Sequence, residues 1–229
     1  MRKPDVLKIG VLLPSRFTDA GDYLADARAL DAAGADSVWL PDDGLDPWLV
    51  LAGIATVTGR LRLAVPVRPG DREAAGPLAR RMTTLQRLSR GRALAAVTPA
   101  DDRADTEAAL ARARALTPAL VLLGTPGTGH SVVAACLADG LVAATGPAEC
   151  HAAFDQARVR RERDRLTTPF ELWTRAPVAR GRADWRATLT MAADVGATGV
   201  LVPFDARLLD LLRNPDVEED RSDLTLAQG

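Results

Sequence analysis

The chain has 229 residues, a net charge of −1 and 47% hydrophobic residues, enough for a sizeable core in one large domain or two small ones. Near-neutral charge removes the electrostatic reason to expect nucleic acid or an anionic membrane as partner. No apolar run approaches the roughly 20 residues that a membrane-spanning helix needs.

The opening segment, MRKPDVLKIGVLLP, begins on two basic residues, but its apolar run is brief and leads into Ser15, Arg16 and Asp19. It reads as a first strand and not as a signal peptide, so a cytoplasmic protein is expected. From there strand-like and helix-like segments alternate. Strands are predicted at 9–13, 37–40, 61–67, 93–97, 119–123, 141–144, 170–174 and 199–202. Helical apolar spacing falls between and after them, at 23–33, 48–56, 76–88, 105–116, 131–137, 148–161, 183–195 and 205–212. Gly34, Gly91 and Gly196 follow periodic segments as helix stops. Several strand runs are apolar without strict alternation, as parallel strands covered on both faces are.

Eight strands, each followed by a helix, is the count of a single-domain α/β (β/α)8 TIM-like barrel. A doubly wound open sheet alternates in the same way, but two of the runs would have to be discarded to reach its usual size. The barrel is expected over residues 1–213, with a polar C-terminal tail over 214–229. The apolar spacing of the 76–88 helix makes self-association an expectation. The two cysteines, Cys136 and Cys150, read as free thiols.

Barrel ligands sit among the loops at the C-terminal ends of the strands, and that rule selects the candidate residues. After the fifth strand comes VLLGTPGTGHS, one residue away from the triphosphate loop G-x-x-x-x-G-K-S/T, with His130 in the place of the lysine. The missing lysine and the position in mid-barrel make a triphosphate site a poor reading. Gly124, Gly127 and Gly129 let a backbone approach an anion closely. Thr125, Thr128 and Ser131 can add hydroxyl donors, and the following helix start adds free N–H groups. A phosphate or phosphodiester site and an unliganded connection both remain open.

After the second strand, Asp42 and Asp43 in VWLPDDG offer carboxylates for proton transfer or for a ligand hydroxyl, or else a cap for the next turn. No His or Glu stands at metal spacing beside them, and no metal is expected. His130 borders the glycine loop and can meet a phosphate; His151 falls on the surface of a helix. Arg68 and Arg175 end the third and seventh strands and are the substrate candidates, where an anionic ligand would meet them. Ser15, Thr98 and Ser131 have no nucleophile-elbow context.

Taken together, KIGVLLP, ARALDAAGADSVWLPDDGLDPWLVLAGIATVTGRLRLAVPV, PLARRMTTLQRLSRGRALAAV and the glycine loop with its ACLADG helix resemble the bacterial luciferase-like family of flavin- and deazaflavin-dependent oxidoreductases. The resemblance implies a TIM-like barrel, often homodimeric, acting on a small-molecule substrate as an oxidoreductase or monooxygenase. It implies a cofactor, either the deazaflavin coenzyme F(420) or FMN. The phosphate would be held by Gly124, Thr125, Gly127, Thr128 and Gly129, with Val67 and Thr98 as further cofactor contacts and Asp42 and Asp43 as the catalytic candidates.

The chain also departs from the family. Where members have Asp-His after the second strand, Asp43 stands second here. Where a Gly-x-Gly turn is usual after the fourth strand, this chain has AAVTPADD. An insertion near strands four and five is reduced to about one helix. The third strand ends in Val65-Pro66-Val67, where members often carry a non-prolyl cis bond; a cis bond before proline would cost less. The departures leave a second reading, a cofactor-binding or scaffold member that has lost the chemistry and binds cofactor without turnover or binds none. A third is a barrel enzyme acting on phosphorylated metabolites through the glycine loop.

Overall fold

The computed structural model describes residues 7–68, 75–116, 121–124, 129–143 and 147–214. The polar tail expected over 214–229 lies outside them except for Asn214. Strands and helices alternate throughout: β1 (Lys8–Leu12), α1 (Ala20–Ala33), β2 (Ser37–Trp39), α2 (Pro47–Val57), β3 (Arg62–Val67), α3 (Ala75–Leu88), β4 (Ala93–Val97), α4 (Arg103–Leu116), β5 (Val121–Gly124), α5 (Gly129–Leu137), β6 (Gly140–Val142), α6 (Pro147–Arg163), β7 (Glu171–Arg175), α7 (Arg182–Asp194), β8 (Gly199–Pro203) and α8 (Ala206–Arg213). Every strand pairs parallel with the next, and β8 returns to pair with β1 in a closed barrel. Between β4 and β5 the described chain carries the single helix α4.

Local chemistry sets the helix ends. Asp19, Asp46 and Asp205 cap α1, α2 and α8 by accepting backbone N–H bonds, and Pro47 follows Asp46 at the first turn of α2. Gly34, Gly91 and Gly196 take left-handed φ values of 87°, 82° and 73°, the stop positions expected of them, where a β-carbon would be strained. All described peptide bonds are trans, Val65–Pro66 included.

Register divides the strand residues between two faces. One set, with Val11, Val38, Leu63, Val65, Val67, Ala95, Leu172 and Val200, packs between strands and helices in the main core. The other points to the barrel axis, where Trp39, Ala64, Leu94, Val142, Trp173 and Leu201 form a separate buried cluster with Leu12 and Ala96 against it. Trp39 and Trp173 meet edge to face with ring centroids 5.9 Å apart, so the lumen is filled by side chains.

Below the tryptophans, at the N-terminal end of the strands, lies a charged layer. Glu171 is paired with Lys8 and Arg62, Arg62 with Asp36, and the Trp173 indole N–H donates to Glu171 Oε2 at 2.8 Å. Burial opposes the ionisation of Glu171. Its hydrogen bond from Lys8, the Arg62 charge and the Trp173 bond outweigh that cost and hold the carboxyl below its usual value. A lowered folded-state value means the network stabilises the fold above the unfolded carboxyl value and is lost as pH falls through the folded one. Acid unfolding followed by tryptophan fluorescence should therefore steepen below about pH 4. Glu171→Gln should give a flatter acid limb, and an unchanged limb would remove Glu171 from the acid response.

The apolar positions of α3 turn inward. Leu78, Met82 and Leu85 are buried, while Arg80, Arg81, Thr83, Thr84 and Arg87 face outward. Among the described residues no helix is long and apolar enough to cross a membrane.

Candidate functional site

The C-terminal rim of the strands brings the candidates of β2, β3, β4 and β7 to one end of the barrel. Its floor is made by Leu12, Pro66 and Ala96, all half-buried above the tryptophan pair. Arg68 Nε lies 3.0 Å from Asp42 Oδ2, and its guanidinium also donates to the Asp42 carbonyl. Of the two acidic candidates Asp42 is thus ion-paired, and its partner is the arginine expected to meet substrate. Among the described residues Asp43 is met at its backbone carbonyl, by a long contact from Arg16 at 3.5 Å. Neither caps α2. That role belongs to Asp46, whose Oδ1 accepts from Trp48 N at 2.8 Å and Leu49 N at 3.4 Å.

Val67 does not reach the mouth. It is fully buried on the outer face of β3 with Leu63 and Val65, so its side chain does not line the mouth. The axis-facing residue at that level is Pro66, which shares the phase of Ala64. Thr98 is exposed just past β4, its N–H bonded to Val67 O at 2.9 Å. Arg175 ends β7 in the phase of Glu171 and Trp173 and is exposed at the rim.

Of the phosphate-loop candidates, Thr125, Gly127 and Thr128 lie outside the described residues. Gly124 closes β5 and Gly129 opens α5. His130, in the first turn of α5, is tied down. Its Nε2 lies 3.2 Å from the Ala100 carbonyl, and because a carbonyl only accepts, that nitrogen carries the proton. Ala100 N in turn bonds to Thr106 Oγ1 at 2.9 Å, so α5 is pinned to the start of α4.

The next residue, Ser131, is the unusual one. It is completely buried in the first turn of α5, and its hydroxyl makes no hydrogen bond. Leaving a buried hydroxyl unmatched costs about 1–3 kcal/mol. The helix start also presents backbone N–H groups that have no partner within the helix. A neutral donor, free N–H groups and the positive end of a helix dipole together make a receptor for an anion. Donors of this chemistry fit the phosphate of a flavin-type cofactor.

Other groups that could have carried chemistry are engaged elsewhere. Cys150 is buried with Sγ 3.1 Å from Thr174 Oγ1, and Cys136 is an exposed free thiol. His151 is exposed and 3.1 Å from Asp155. No cluster of three His, Cys, Asp or Glu placed to hold a metal occurs among the described residues.

The closed parallel barrel is a fold shared by many proteins, and comparison with known proteins narrows it. Residues 7–115, just under half of the chain and running from β1 into α4, match the model of the luciferase-like monooxygenase family. Solved structures extend the likeness in fold to the remaining strands. The coenzyme F(420)-dependent tetrahydromethanopterin reductase of Methanopyrus kandleri is 10% identical, with a TM-score of 0.74 over 90% of this chain and 96% of that one. The EDTA monooxygenase of Chelativorans sp. BNC1 is 9% identical, with a TM-score of 0.74 over 91% and 92%. The oxygenating constituent of 3,6-diketocamphane monooxygenase from Pseudomonas putida, solved with FMN, is 10% identical, with a TM-score of 0.61 over 76% and 68%.

Proposed function

We propose that this chain is a luciferase-like oxidoreductase that binds coenzyme F(420) or FMN at the C-terminal mouth and exchanges hydride with a small organic substrate. The observation that carries the reading is the buried, unpartnered Ser131 hydroxyl in the first turn of α5. A protein tolerates such a group where a ligand completes it. Names of the matched proteins include both an F(420)-dependent reductase and an FMN complex.

The cofactor, when bound, supplies the redox chemistry. The chain's own residues anchor and orient it. Ser131 and the N–H groups at the start of α5 hold the phosphate, and His130 fixes that helix start against Ala100. Leu12, Pro66 and Ala96 give an apolar floor that keeps water from beneath the ring. Asp42, held by Arg68, accepts a hydrogen bond from a ligand hydroxyl, while Thr98 beside the end of β3 and Arg175 across the rim on β7 contact ligand.

A titration of the protein with F(420) and with FMN, read by fluorescence, tests this. Binding of one of them at micromolar concentration is expected. Ser131→Ala should weaken it by roughly tenfold while leaving the unliganded fold as stable or more so by about 1 kcal/mol, because an unmatched buried hydroxyl is gone. A hydroxyl kept for packing alone would show neither the loss of affinity nor this opposition of signs. If neither cofactor binds at about a hundred micromolar, corresponding to less than about 6 kcal/mol of affinity, the oxidoreductase reading fails.

A further inference from the structure

We propose that a second copy of this chain docks on the outer face of α2, and that docking there braces the mouth loops behind it. The inference stands on that surface alone and needs no cofactor.

The eleven residues of α2, PWLVLAGIATV, include no charged side chain. A helix on the outside of a barrel ordinarily turns charged or polar residues to solvent, and one that is apolar all round is covered. Pro47, Leu51, Ile54 and Ala55 face the core, but Leu49 on the other side is 72% exposed. Leu45 ahead of the helix and Leu88 at the end of α3 are 44% and 45% exposed. A groove follows each flank of α2. The one against α1, of about 350 Å³, has Phe17, Leu24 and Leu45 in its walls; the one against α3, of about 340 Å³, has Trp48, Ala52 and Leu88. Leu49 stands on the ridge between them and lines both. Contiguous apolar surface of this kind marks a site of interaction.

Both halves of a joint are present on this one surface. Leu49 is a knob and the groove against α3 is a hole, and since Leu49 lines that groove the two lie at one level of the helices. The charges are matched in the same way. Asp46 borders the groove on the α2 side, and Arg80 and Arg81 border it on the α3 side. Asp46 uses Oδ1 to cap α2, which leaves Oδ2 to accept from another molecule. A twofold axis running alongside α2 therefore puts each copy's Leu49 into the other's groove and each copy's Asp46 against the other's arginines. Such self-complementarity is what a twofold interface requires.

The surface also backs onto the mouth. Leu45 N donates to Ser15 O at 3.0 Å, and a β-carbon on Gly44 would stand 2.4 Å from that oxygen. The loops after β1 and β2 are thus joined by a close approach that glycine allows. Arg16 adds its contact to the Asp43 carbonyl. A copy seated on Leu45 and Leu49 holds this junction from outside, beside the loop that carries Asp42 and Asp43.

Sedimentation of the whole protein across a range of concentrations reads association, and hydrogen exchange at the Leu45 amide reads the junction. The protein should be a dimer, and Leu49→Glu should weaken it at least roughly thirtyfold, as a charge put in place of a central anchor does. Val159→Glu, on α6 where Val159 is 64% exposed, should leave the dimer unchanged. In a Cys136→Ser background, Leu49→Cys should form a disulfide between copies on mild oxidation where Val159→Cys does not. Exchange at Leu45 should slow as the dimer forms and stay fast in Leu49→Glu. A monomer at every concentration overturns the proposal, whether another protein or residues 215–229 of this chain cover the face instead. A dimer that Leu49→Glu does not weaken forms through another surface and overturns it as well. Exchange at Leu45 that association leaves unchanged overturns the bracing of the mouth.

Discussion

Gly199→Ala is expected to lower the stability of the barrel by about 2–3 kcal/mol, an overpacking cost at the high end of the usual range. A β-carbon at this position would stand 2.6 Å from Trp173 Cε3, 2.7 Å from Cζ3 and 2.8 Å from Cδ2. The indole cannot step aside. It is fully buried, its N–H is held by Glu171 Oε2, its edge meets Trp39, and Arg62 lies over it at 5.8 Å. Gly10 faces the same ring from the neighbouring strand, where a β-carbon would come within 2.9 Å of both tryptophans. The two glycines are the counterpart of one large side chain in a lumen of fixed width. Urea denaturation measures the loss, and a double-mutant cycle assigns it: in a Trp173→Leu background Gly199→Ala should cost little. The same cost in both backgrounds would mean that the ring is not what the new methyl meets.

Arg92→Met is expected to cost about 2–4 kcal/mol, from several charge-assisted bonds lost at once in a half-buried position. One guanidinium joins three elements here. It donates to Ala55 O at 3.1 Å, to Thr58 O at 2.9 Å and Thr58 Oγ1 at 3.1 Å, to Leu61 O, and through Nε to Ser89 O at 2.7 Å. These acceptors lie at the end of α2, at the start of β3 and after α3, at the bottom of the barrel where the chain turns back into strands. Removing the fork leaves five acceptors to find water or stay bare. Arg92→Lys should recover only part of the loss, since an ammonium reaches fewer of these directions. Thermal and urea unfolding of the two variants check this, and a loss in Arg92→Met below about 0.5 kcal/mol would put the site among ordinary surface positions.

The alternation of elements was legible because helices and strands here carry strong local signals. The fourth strand was expected and found at 93–97, and Gly34, Gly91 and Gly196 end their helices in the left-handed conformation predicted for them. What sequence could not give was which side of a strand faces the axis. Both faces of a parallel barrel strand are apolar, so Leu-Ala-Val-Pro-Val does not announce that Pro66 turns inward and Val67 outward; closure of the ring decides it. Spacing likewise shows that α3 carries an apolar stripe but not which neighbour covers it. In PDDGLDP three aspartates compete for one cap, and the proline after Asp46 was the available signal. The lumen-filling role of Trp173 was also readable in retrospect, from glycines in the middle of β1 and at the head of β8. Half of the phosphate-loop candidates lie outside the described residues, whereas Ser131 stood in the sequence as one hydroxyl among three and only burial without a partner separates it.

The charged layer beneath the tryptophans has a bearing on how this chain can change over time. Lys8, Arg62, Glu171 and Asp36 fasten four points of the ring at the N-terminal end of the strands, and the indoles seal the space between that ring of charges and the mouth. Substitutions in the loops above the seal therefore leave the fastening untouched. Such a molecule can exchange a rim residue such as Asp43 without first acquiring a compensating change in its foundation. The mouth is the part of the chain free to explore new ligands, and drift there is tolerated because closure of the ring does not depend on it.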